Sequence, residues 1–108
     1  MKHIAYTFSN DDIEAVSFAL SLLPSLRLEE NEVQADINYQ LCCSALKKLS
    51  ERSSEFLPNE FRVISAAVQA VQLINQGVLD ADAATKKTCA RYLFTVNKLV
   101  SMFDVNFS

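Results

Sequence analysis

Cys42 and Cys43 stand side by side in a chain of 108 residues that has one further cysteine, Cys89. A thiolate is a nucleophile, and a nearby cation lowers the pH at which it forms. Cys43 has Lys47 one helical turn downstream, which makes it the candidate reactive thiol. Cys42 and Cys89 fall at apolar positions of their segments and read as small hydrophobic side chains. Neighbouring residues on a helix diverge by about 100°, so the adjacent pair does not close a disulfide there. An odd cysteine count offers no disulfide framework and fits the reducing cytoplasm.

Other chemistry finds fewer residues to work with. The single histidine, His3, precedes the first helical pattern, where nothing in the sequence holds it in a Ser-His-Asp arrangement. There is no Cys-x-x-Cys, His-x-x-x-His or Glu-x-x-His spacing, so neither a metal site nor a cofactor is expected. Most acids (Asp11, Asp12, Glu14, Glu29, Glu30, Glu32, Glu60, Asp80 and Asp82) cluster where helices should start. There they complement the positive end of the helix dipole. Glu14 is singled out by the narrow polar stripe it shares with Ser17 and Ser21, but a catalytic carboxylate also needs a cleft. No catalytic constellation is legible, and the reading is of a protein that is not an enzyme.

The chain carries ten Lys and Arg against thirteen Asp and Glu, a net charge of −3. That balance opposes non-specific attraction to nucleic acid or to an anionic membrane. Cations do gather at Lys47, Lys48 and Arg52, and again at Lys86, Lys87, Arg91 and Lys98. The segment around Gly77 has the outline of a helix-turn-helix. Asp80 and Asp82, however, put negative charge where phosphate contacts should begin, so no nucleic-acid partner is expected. The longest uncharged stretch, Val63 to Leu79, contains Gln69, Gln72, Asn75 and Gln76 and is too polar to span a membrane. Met1 to Tyr6 lack the apolar run of a secretory leader.

The elements that must position these residues are helices. One glycine in the whole chain disfavours architectures whose tight turns need positive φ. Apolar spacing predicts an all-α, single-domain antiparallel four-helix bundle over residues 1–108, with helices at about 10–23, 31–52, 58–76 and 81–103. Ser9 with Asp12 resembles a capping box, and Pro24 should end or kink the first helix. Asn31 opens the second. Pro58 suits the first position of the third, with Leu57 an unusual N-cap that Asn59 would replace. Gly77 closes it in a Schellman motif, and Asp80 caps the fourth.

The second helix should bury Tyr39, Cys42, Leu46 and Leu49, flanked by Ile37, Leu41 and Ala45. The fourth should bury Cys89, Tyr92, Val96, Leu99 and Phe103. Ile4, Tyr6 and Phe8 alternate, as do Phe103, Val105 and Phe107, so a short extended ribbon joining the termini is a further expectation. Asn38 and Asn75 lie within apolar arcs, as buried amides bonded to backbone or as partner-choosing devices.

The first and third helices are apolar over roughly two-thirds of their circumference, where a simple bundle needs an arc not far above 100°. A second copy of the chain is the commonest cover for such a surplus. The expected interface comprises Val16, Phe18, Ala19 and Leu22 with Ile64, Ala67, Val68 and Val71. The leading expectation is therefore a small cytoplasmic interaction or regulatory protein, acting as a homodimer through apolar helix faces. The alternative is a small-ligand binder with a cavity of roughly 300 Å³ or more, closed by Tyr39, Tyr92 or the termini. A sensor or enzyme using Cys43 is the third.

Overall fold

Ser9 opens the first helix by the exchange its type allows. Its hydroxyl accepts from the Asp12 amide at 3.2 Å, and the Asp12 carboxylate accepts from the Ser9 amide at 3.1 Å. In the computed structural model, which describes residues 3–107, this starts α1 (Asn10–Leu22). Pro24 then enforces a change of geometry, a 3₁₀ turn over Leu23–Leu26. Asn31 caps α2 (Glu32–Ser50) through its side chain, which accepts from the Gln34 amide at 2.9 Å. The remaining helices are α3 (Pro58–Asn75), α4 (Ala83–Arg91) and α5 (Leu93–Phe107).

The chain is mostly helical, as its spacing requires, but the described residues form five helices and not four. The expected fourth helix is interrupted at Tyr92, whose φ of −98° and ψ of 12° leave the α region. Tertiary contacts pin this residue: its ring stacks on Phe18 at 5.4 Å, and its hydroxyl donates to Glu14 at 3.0 Å. No Gly or Pro marks the break, so local sequence gives no warning of it. The helix also starts later than expected. Asp82, not Asp80, is the N-cap, accepting from the Thr85 amide at 2.7 Å. Asp80 instead pairs with Lys86 at 3.1 Å on the surface.

A second correction concerns the ends. Ile4–Ala5 (β1) pairs antiparallel with Glu55–Phe56 (β2), in the connection between α2 and α3. The Tyr6 amide extends this ladder to the Ser54 carbonyl at 2.8 Å. Residues 103 to 107 stay in α5, so the expected ribbon between the termini does not form. The N-terminal segment carries Tyr6 and Phe8 into an aromatic cluster with Phe56, Phe61 and Phe103. The Phe61–Phe103 centroids are 5.0 Å apart and the Tyr6–Phe8 centroids 4.7 Å, in the tilted and edge-on geometries that aromatic quadrupoles favour.

Gly77, at φ 76°, closes α3 as expected. The Val78 amide reaches the Leu73 carbonyl at 3.0 Å and the Gly77 amide reaches Ile74 at 3.1 Å, the two bonds of a Schellman motif. At the other end Leu57 is the N-cap. Its side chain bonds nothing, and Glu60 supplies the compensating interaction from inside the helix.

The apolar surplus has an internal solution. α3 packs against α1, α2, α4 and α5, and α1 packs against α2, α3 and α5. Helices surrounded in this way need apolar residues on most of their circumference. Val16, Ala19, Ile64, Ala67, Val68 and Val71, expected at an interface, have between 0% and 1% of their surface exposed within the single chain. Phe18 and Leu22 are half-buried against the same core. Six of the eight residues expected at an interface therefore face the protein's own interior, with Phe18 and Leu22 at its edge.

Candidate functional site

The departure of α2 from its expected packing creates a concavity. Its buried residues are Cys42, Ala45 and Leu49, all in its second half. Between Glu32 and Leu41 no residue is buried, and Ile37 and Tyr39, expected in the core, are 46% and 51% exposed. The first turns of α2 thus stand away from α3. The space between them and the 3₁₀ turn is a half-open cleft of ≈ 550 Å³.

Apolar groups make its floor, Leu23, Pro24, Ala35, Cys42 and Val63, with the exposed Leu28 and Ala66 at its edge. Burial, and then the neighbouring Cys43, pushes the Cys42 thiol above its ordinary pKa, so it lies there as a neutral apolar group. Polar groups stand at the rim. Tyr39, Asn38 and Arg62 come from the facing helices, and Arg27, Glu29 and Glu32 from the entry to α2. Arg27 ends the 3₁₀ turn at φ 51°, a left-handed conformation that costs a side-chain-bearing residue roughly 1–2 kcal/mol. Its amide returns to the Pro24 carbonyl at 3.3 Å.

The four rim charges are arranged unevenly. The Glu29 carboxylate accepts from the Asn31 amide at 3.0 Å, and Glu32 occupies the first position of α2, where a carboxylate is stabilised. Arg62 reaches the Asn38 side-chain oxygen at 3.4 Å. Among the described residues, neither Arg27 nor Arg62 has a carboxylate within ion-pairing distance.

Comparison of the chain with protein-family models, with curated proteins and with solved structures finds no match.

The other candidate residues are dispersed. Cys43 is exposed, and besides Cys42 it acts on Tyr39, whose phenol is pushed up by the neighbouring thiol. Glu14 is the acceptor for Tyr92, which accounts for its place in an otherwise apolar face. Several of the cations that gather along the sequence are bonded within the fold. Lys48 pairs with Glu60, Lys86 with Asp80 and Lys98 with Asp12, while Arg52 donates to Asn10. The Asn75 amide donates to the Cys89 carbonyl at 3.0 Å, the backbone-bonded role. Among the described residues, no group of three or more His, Cys, Asp or Glu is placed to hold a metal ion. No helix there is long and apolar enough to cross a membrane.

Tyr39 is the one cleft residue already named from sequence as a cavity-closing ring. Arg27 and Arg62 were not distinguished. Arg62 belongs to the regular polar stripe of α3, and Arg27 sits in a connection whose path depends on Pro24 and the cap at Asn31.

Proposed function

We propose that the protein is a non-catalytic binding protein that takes a small ligand in the cleft between the 3₁₀ turn, α2 and α3. The observation that carries this reading is the cleft itself: ≈ 550 Å³, apolar at the floor and polar at the rim, with Tyr39 beside its mouth. Ligand sites commonly occupy roughly 300–1,000 Å³ with this distribution of groups. The reading also follows from the burial of the helix faces that would otherwise have met a partner.

Amide-resolved NMR during titration with small amphiphiles tests it. Saturable shifts are expected at Ala35, Tyr39, Val63 and Ala66. Ala66 is exposed beside the cleft, so Ala66→Phe leaves the core intact while filling the space. The variant should lose those shifts and at least about tenfold in affinity, the equivalent of 1.4 kcal/mol. Unchanged binding by the folded variant would end the reading.

Self-association is a second reading, supported by a different surface. Phe94 is 88% exposed and Val105 81% exposed, on one face of α5. Eleven positions at about 100° each bring them within about 20° of one another on the helix. A twofold pairing along this face would cover both exposed apolar side chains at once. Sedimentation at tens of micromolar should then show a dimer that Phe94→Glu converts to a folded monomer. A wild-type monomer, or a dimer indifferent to the substitution, discards it.

A further inference from the structure

We infer that the cleft selects a monoanionic amphiphile: an apolar chain or ring bearing one carboxylate, held by the guanidinium groups of Arg27 and Arg62. The inference rests on the cleft being a ligand site and specifies what that site takes.

Three observations lead to it. The floor of Leu23, Pro24, Ala35, Cys42 and Val63 offers no charge and suits a hydrocarbon body. Both rim arginines have donors to spare, since Arg62 makes only the long contact to Asn38 and Arg27 makes no side-chain ion pair among the described residues. Finally, of the two rim acids Glu29 accepts from the Asn31 amide, and Glu32 holds the first position of α2, where the helix dipole favours a carboxylate. Four charges thus share one cleft without neutralising one another. A guanidinium presents five N–H donors in a fork that matches a carboxylate, and such charge-assisted pairs are about twice as strong as neutral hydrogen bonds.

The same acids restrict the headgroup. With two carboxylates beside two guanidinium groups, a single negative charge meets an available cation, whereas a dianionic phosphate meets more repulsion from Glu29 and Glu32. A cationic headgroup would find its counter-charges already bonded to backbone at Glu29 and placed against the α2 N-terminus at Glu32. The ligand is therefore a carboxylate with an apolar body.

The test compares decanoate, decan-1-ol, decyl phosphate and decyltrimethylammonium, titrated into the full chain with NMR shifts at Ala35, Tyr39 and Val63 as the readout. Decanoate should bind at one equivalent and about five- to tenfold more tightly than the alcohol, the size of one exposed charge-assisted contact. Arg62→Gln and Arg27→Gln should each erase most of that preference while leaving the alcohol's affinity in place. Both side chains are exposed, so neither change disturbs the core. Arg62→Lys should restore only part of it, because an ammonium keeps the charge and loses the fork.

Equal binding of decanoate and the alcohol in the cleft overturns the carboxylate assignment and leaves the cleft reading standing. Preference for decyl phosphate or the ammonium, or a carboxylate preference untouched by both Gln variants, overturns it as well. Absence of shifts at the cleft with every probe overturns this inference and the underlying reading together.

Discussion

Val68→Glu should leave the chain without a cooperative fold. Val68 has 0% of its surface exposed and lies in the middle of α3, the helix that contacts four others. A carboxylate there has no cationic partner close by in the core, which consists of Ala, Val, Leu, Ile, Phe and Cys side chains. Burying an unpaired charge costs several kcal/mol at the least, against a total stability of roughly 5–15 kcal/mol for a domain. The expected result is loss of the thermal transition in circular dichroism and loss of soluble yield. Phe94→Glu supplies the contrast, since that residue is 88% exposed and the variant should melt close to the wild type. If Val68→Glu gives a folded monomer, α3 is not the central helix described above, and its apolar face belongs to an interface after all.

The contrast between these two positions shows which parts of the structure the sequence carries. Helix type and most helix ends are local properties. Ser9, Asn31, Pro58 and Gly77 act within a few residues of where they stand, and each marks its boundary as its chemistry requires. The same is true of the burial of Cys42, Leu49, Cys89, Val96 and Leu99, which follows from helical spacing. Which neighbour covers an apolar face is a different question. The wide apolar arcs of α1 and α3 are equally consistent with a partner subunit and with a central place in a single chain. Only the packing of five helices decides between them.

The break at Tyr92 and the pairing of Ile4 with Phe56 have the same origin. Both depend on contacts between residues far apart in sequence: Tyr92 with Glu14 and Phe18, and Ile4 with the α2–α3 connection. The cleft was partly legible. Tyr39 could be nominated as a cavity ring because helical spacing puts it on the inward seam of α2. Yet its burial was overestimated, since the apolar pattern of α2 does not reveal that the helix diverges from α3 over its first turns. The arginines at the rim were invisible for a related reason. Their relevance lies in what they do not pair with, a property of the folded chain alone.

Glu60 was assigned from sequence to the start of α3, and that position is correct but incomplete. Its carboxylate is 1% exposed and collects three donors: Lys48 Nζ at 2.5 Å, the Leu57 amide at 2.7 Å and the Ser44 hydroxyl. It thereby fastens α2 to the α3 N-terminus, whose N-cap residue has no polar side chain of its own. Glu60→Ala would leave a partly buried amide, hydroxyl and ammonium without the carboxylate that they share. The loss should be about 3 kcal/mol, at the lower end for a broken buried pair because Lys48 keeps 26% of its side chain in water. The melting temperature should fall by on the order of 15 °C. Glu60→Gln retains an acceptor for the Leu57 amide and should lose less.

Acid titration separates the charge from the hydrogen bonds. Burial alone would raise the Glu60 pKa, but the bonds from Lys48, Ser44 and Leu57, with the Lys48 charge, outweigh it, and the net shift is downward. In the unfolded chain a Glu titrates near its ordinary value of about 4.3. As the pH falls through that value, the unfolded state takes up the proton while the native carboxylate stays charged, so stability decreases. The contribution is complete above about pH 5 and is lost progressively below about pH 4.5 as the native pKa is passed. Wild type minus Glu60→Gln, measured by urea unfolding from pH 7 to pH 3, should therefore be flat above about pH 5 and shrink below it. The lowered Asp80 and Asp82 carboxylates are present in both proteins and cancel from this difference. A difference that stays constant across the whole range would show that the carboxylate charge at position 60 contributes nothing, and that α2 and α3 are joined there by neutral hydrogen bonds alone.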